Sequence, residues 1–105
     1  MIKIKKGVDV RGLHLKMWEL IYLIEPIFKS KHCDLVITSA LDGNHSKNSL
    51  HYVGLAVDIR KRDLPFADEI FHLIVDVMPR AYDAVNEVTH FHFEYQPKTQ
   101  DEINT

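Results

Sequence analysis

A single cysteine, Cys33, in 105 residues leaves no intrachain disulfide to be made. It lies between a helical stretch and an apolar run, where its expected role is that of a small buried side chain. No apolar run approaches the ~18 residues that would span a bilayer. The opening Met1-Ile2-Lys3-Ile4-Lys5-Lys6 is basic, but no apolar segment or small-residue cleavage site follows it. No secretory signal is therefore expected, and synthesis in the cytoplasm is. A strong charge of one sign is missing as well: the formal net charge is −2 with the histidines neutral, which argues against partners such as bulk nucleic acid or an acidic membrane. Repeats, linkers and low-complexity segments are absent, so the chain 1–105 reads as one domain with a modest core, and as a monomer.

Histidine is the residue present in excess, at seven copies. Residues 1–13 alternate loosely around Gly7 and Gly12 and suit an edge strand or extended arm. From His14 to Lys29 the apolar residues Leu13, Met17, Leu20, Ile21, Ile24 and Phe28 fall at helical spacing, with Trp18 and Leu23 widening the face. Pro26 predicts a kink or a separate last turn there. Leu35-Val36-Ile37-Thr38 reads as a buried strand, and residues 39–49 as a polar loop turning at Asp42-Gly43. Leu55–Ile59 reads as a second core strand. Asp63 is the expected N-cap of a helix running to about Met78, with Ile70, Phe71, Ile74, Val77 and Met78 inward and His72 at the surface. Residues 81–85 and 89–95 are two further strands, and 98–105 is a polar tail expected to fray. The order of elements predicts an α+β fold with a small antiparallel sheet and two main helices.

Chemistry concentrates in two segments. In Ser49-Leu50-His51-Tyr52-Val53-Gly54-Leu55-Ala56-Val57-Asp58-Ile59-Arg60, a carboxylate lies within an apolar strand. Buried alone it would be unfavourable, so it needs a cation or several donors. Gly54 allows a sharp turn or close approach that folds His51 back toward Asp58. The plainer reading is an edge-strand Asp58 facing solvent and a loop His51. In Glu87-Val88-Thr89-His90-Phe91-His92-Phe93-Glu94, period-two alternation puts His90, His92 and Glu94 on one face and both phenylalanines on the other. Here the plainer reading is a solvated polar face. Two histidines with one carboxylate form a three-ligand set for Zn2+ with an open position for water. Glu87 is placed to take the proton from that water, and His90 or His45 to steady a developing oxyanion.

Ser49-x-His51-x-x-Gly54-x-Ala56-x-Asp58, followed by an acidic residue and a terminal His-x-His, resembles the zinc D-Ala-D-Ala carboxypeptidase and L-alanyl-D-glutamate endopeptidase family. That family includes phage endolysins, and the amino-terminal domain of hedgehog proteins is a distant relative by fold. The likeness runs from about Thr38 to Glu94. It implies a hedgehog-like fold and hydrolysis of peptidoglycan stem peptides, with His51 and Asp58 as the first two zinc ligands. His92, followed by Phe93 and Glu94, is the preferred third ligand, with His90 beside the metal. The competing register makes His90 the ligand, because Glu87 stands three residues before it. Glu87 is the base in either register, and Ser49 with His45 would contact substrate. An arginine that several members carry after the first core strand has no counterpart in Ser39-Ala40-Leu41, which leaves exo- and endopeptidase both open. With no signal sequence, access to the cell wall would follow release through a pore made by another protein. Two other readings are carried forward: a non-catalytic zinc-binding domain of hedgehog-like fold, and an α+β domain that binds no metal.

Overall fold

The computed structural model describes residues 1–41 and 53–97. Seven elements follow one another: β1 (Ile2–Ile4), α1 (Leu15–Ser30), β2 (Leu35–Ser39), β3 (Ala56–Arg60), α2 (Ala67–Val77), β4 (Tyr82–Asn86) and β5 (His90–Tyr95). The five strands form one sheet in the order β1-β2-β3-β5-β4. The fold is α+β as expected, but the sheet is mixed rather than antiparallel. Strand β1 runs parallel to β2, with Ile2 opposite Leu35 and Ile4 opposite Ile37. The cause is α1, which carries the chain from the end of β1 back to the start of β2 as a crossover. All other pairs are antiparallel.

Both helices contribute to one core against the same sheet face. Leu35 and Ile37 of β2, Val57 and Ile59 of β3, and Phe91 and Phe93 of β5 are fully buried there. Met17, Leu20, Ile21, Ile24 and Phe28 of α1 cover them, joined by Ile70 and Ile74 of α2. Strand periodicity then assigns the intervening residues to the opposite face, away from α1 and α2: Val36 and Thr38, Asp58 and Arg60, His90, His92 and Glu94. Burial of six side chains on one face thus fixes the register that exposes the polar set on the other.

Local departures from expectation have local causes. Helix α1 continues through Pro26, which lies on its exposed side, where the carbonyl deprived of an amide partner can face water. Leu23 and Val77, expected inward, are exposed. Helix α2 begins at Ala67, not at Asp63. Leu64 precedes Pro65 and is kept out of helical conformation, and a bond from its amide to the Lys61 carbonyl (2.9 Å) closes a turn first. Asp63 and the cap residue Phe66 both adopt positive φ (62° and 58°), and Phe66 has no capping side chain. Asp68 and Glu69 in the first turn complement the helix dipole instead. Cys33 is half-buried, its thiol 3.2 Å from the Lys31 carbonyl. His72 lies at the surface.

Candidate metal centre

Strands β3 and β5 build the centre by direct pairing. Asp58 stands opposite His92, Arg60 opposite His90 and Ala56 opposite Glu94. Because Val57, Ile59, Phe91 and Phe93 hold the core face, all of these side chains emerge on the opposite one. A bulge in β2 between Ile37 and Ser39 brings Ser39 level with Asp58, and the Thr38 hydroxyl donates to the Asp58 carbonyl at 3.4 Å.

The Asp58 carboxylate sits between two imidazoles. Its Oδ1 is 2.8 Å from His92 Nδ1 and its Oδ2 is 3.8 Å from His90 Nε2. The first is a hydrogen bond, and the second is too long for one. Each ring is oriented by a further residue: His92 Nε2 meets Glu94 Oε1 at 2.8 Å, and His90 Nδ1 meets the Thr89 hydroxyl at 3.0 Å. Gln96 donates to the other Glu94 oxygen. The Asp58 side chain is 13% exposed, and those of His92 and Glu94 are 20% exposed. Hydrogen bonding to Asp58 raises the His92 pKa above its ordinary value, against desolvation; Glu94 adds to the rise. The two carboxylates thus favour the charged form of His92 in this arrangement.

The backbone at the head of β3 is fixed by Gly54. It has φ of 76°, and a Cβ there would collide with the carbonyl oxygen of Gly12. Its own carbonyl accepts from the His14 amide at 2.9 Å. The glycine expected to permit a close approach does so, against the segment that leads into α1.

Glu87 lies in the β4–β5 turn, with its amide bonded to the His90 carbonyl at 3.0 Å. It is exposed. Lys61 Nζ contacts its main-chain carbonyl (3.0 Å). Register places Glu87 on the same sheet face as His90, one step beyond Val85 opposite His92. His51, Ser49 and His45 lie outside the described residues, as do the Asp42-Gly43 turn and the polar tail.

The donor chemistry fits a divalent cation in part. A ring whose far nitrogen is held by a carboxylate, with the near nitrogen facing another donor, is the arrangement that metal-binding histidines adopt. Glu94, His92 and Asp58 form such a line. Two donors of a tetrahedral zinc stand roughly 3.3 Å apart, so Asp58 and His92 need to part slightly from their 2.8 Å contact. Among the described residues no group of three or more His, Cys, Asp or Glu side chains is spaced to hold a metal ion. Asp58 and His92 are thus two donors in contact, and the expected third ligand, His51, is outside the described residues. Sequence reasoning noted Glu94 on the face but assigned it no role, and gave Thr89 none. The signal for Glu94 was its i+2 spacing from His92 on one strand.

Comparisons with protein-family models, with curated proteins and with solved structures found no match. Among the described residues no helix is long and apolar enough to cross a membrane.

Proposed function

We propose that the chain is a zinc-dependent peptidase acting on peptidoglycan stem peptides, with His51, Asp58 and His92 as the metal ligands. The observation that carries this reading is the placement of Asp58 between two imidazoles on the sheet face away from α1 and α2, with His92 locked from behind by Glu94. The Ser49-to-Asp58 motif supplies the substrate class by resemblance. Zinc, when bound, supplies an acidified water and an electrophile for the scissile carbonyl. Glu94 fixes the ring orientation of His92, so that Nδ1 is directed at the Asp58 side. Glu87, exposed at the turn, accepts the proton released as water attacks and returns it to the amine nitrogen as the C–N bond breaks. His90, steadied by Thr89, donates to the carbonyl oxygen as that oxygen gains charge. The substrate reaches the site through the cleft beside Asp58 and His90, and activity on the wall follows release from the cytoplasm.

The test is mass spectrometry of peptidoglycan fragments after digestion with zinc-loaded protein. New termini at a D-Ala-D-Ala or L-Ala-D-Glu bond are expected, and Asp58→Ala removes them along with the metal. Intact stem peptides after digestion with fully zinc-occupied wild type would refute the reading. The second reading, a zinc-binding interaction domain without activity, is favoured by one observation: Glu87 sits at an exposed turn and does not line the cleft beside Asp58. Unchanged cellular function in Glu87→Gln would support it.

A further inference from the structure

On the sheet face away from α1 and α2 a cleft of about 910 Å³ opens beside Asp58 and His90, a volume in the range of small-ligand sites. Three cationic side chains line it: Lys5, Arg60 and Arg62. The acidic groups in the same walls are engaged or distant. Asp34 is matched by Lys3 Nζ (2.8 Å) and the N-terminal amine (3.5 Å). Asp63 is almost fully exposed and stands 4.0 Å from Arg62 Nε. Asp58 faces the two histidines. Among the described residues, neither the Arg60 guanidinium nor the Lys5 ammonium has a carboxylate within ion-pair distance. Arg60 shares a strand face with Asp58 two residues away, so the two Cα atoms are about 6–7 Å apart along the strand. That is the spacing of roughly two residues of an extended peptide.

We propose that this cleft is the substrate subsite for a free carboxylate on the stem peptide, one or two residues from the bond cut, and that Arg60 with Lys5 determines the preference for the acid over the carboxamide. The inference rests on the peptidase reading for its substrate class, and its recognition step is separate from the chemistry. Arg60 offers a planar fork that grips a carboxylate through two parallel hydrogen bonds. Lys5 leaves β1 level with Thr38, its amide bonded to the Ile37 carbonyl at 2.9 Å, so its ammonium comes from the far wall. A carboxamide at the same position loses the charge and presents two N–H donors to groups that can only donate, a mismatch that discriminates strongly.

The experiment is a calorimetric titration of zinc-loaded protein with L-alanyl-γ-D-glutamyl-L-lysyl-D-alanyl-D-alanine and with the same pentapeptide carrying both carboxylates as amides. Wild type is expected to bind the acid about tenfold or more tightly than the diamide at low ionic strength, with the gap narrowing as salt is added. Arg60→Gln, a change at an exposed position, is expected to retain zinc and fold while losing most of that gap, and Lys5→Gln to reduce it. Equal binding of acid and diamide by wild type, no binding of either, or an undiminished gap in both variants overturns the proposal. Mass spectrometry of the same samples keeps the two ideas apart. Acid-selective binding without cleavage sinks the peptidase reading alone, and cleavage without acid preference sinks this inference alone.

Discussion

Replacing Glu94 by glutamine asks which histidine holds the metal. The change keeps the size of the side chain and removes the charge that faces His92 Nε2 at 2.8 Å. With Glu94 at 20% exposure, the contact is partly shielded from water and the charge matters. As a carboxylate it accepts the Nε2 proton, so that a metal ion displacing the Nδ1 proton from its contact with Asp58 would find Nδ1 as the free donor. Outer carboxylates of this kind are worth about 10- to 100-fold in metal affinity, or about 1.4–2.7 kcal/mol. Competition between Glu94→Gln and a chromogenic chelator should therefore report zinc affinity reduced by about that factor. The control is Thr89→Val, which releases His90 from its 3.0 Å partner and leaves His92 untouched. If His92 is the ligand, Thr89→Val holds zinc within about threefold of wild type, below the outer-residue range. Loss of affinity in Thr89→Val with none in Glu94→Gln would refute the assignment and make His90 the ligand.

Four further outcomes are expected. Glu87→Gln should lower hydrolysis by about 100-fold or more while chelator competition shows unchanged zinc affinity; retained hydrolysis would remove Glu87 as base. Gly54→Ala forces a Cβ into the Gly12 carbonyl at φ of 76°, and urea unfolding should show a loss of about 2 kcal/mol or more; a change under about 0.5 kcal/mol would contradict the close approach. Phe93→Ala empties a fully buried position between sheet and helices, and the expected loss of about 3–5 kcal/mol is a large share of a small domain's stability; denaturation showing under about 1 kcal/mol would mean that Phe93 is not core. Tyr82 is pushed by burial from 10.0 to about 12, and its hydroxyl donates to the Lys16 carbonyl at 2.6 Å. A folded pKa above the unfolded one means that this contribution is whole below pH 10 and lost as pH climbs from 10 toward 12. Phenolate absorbance should then show one of the four tyrosines ionising late and with unfolding; four ionising together near pH 10 in intact protein would contradict it.

The polar sheet face is legible in sequence wherever the alternation is strict. His90-Phe91-His92-Phe93-Glu94 specifies its two faces residue by residue, and both phenylalanines are fully buried. Val57-Asp58-Ile59 does the same, so the juxtaposition of Asp58 with the late histidines needed only the β3–β5 pairing. The parallel partner of β2 was not legible, because Ile2-Lys3-Ile4 is too short to declare a direction and its pairing depends on where α1 returns the chain. The start of α2 was misplaced because Asp63 has the right side chain for a cap but the wrong backbone neighbour in Leu64-Pro65. The choice between His90 and His92 was equally beyond sequence, since both share a face and Asp58 presents one oxygen toward each. Lys5 drew no notice because its place in the cleft depends on the parallel β1–β2 pairing.

The proposed hydrolysis requires a divalent cation held by Asp58 and His92 together with His51. Metal analysis of protein purified without a histidine tag and dialysed against metal-free buffer tests this directly. About one tightly bound zinc per chain is predicted; less than about half an equivalent after zinc loading would contradict it and leave the imidazole–carboxylate cluster as a structural ion pair.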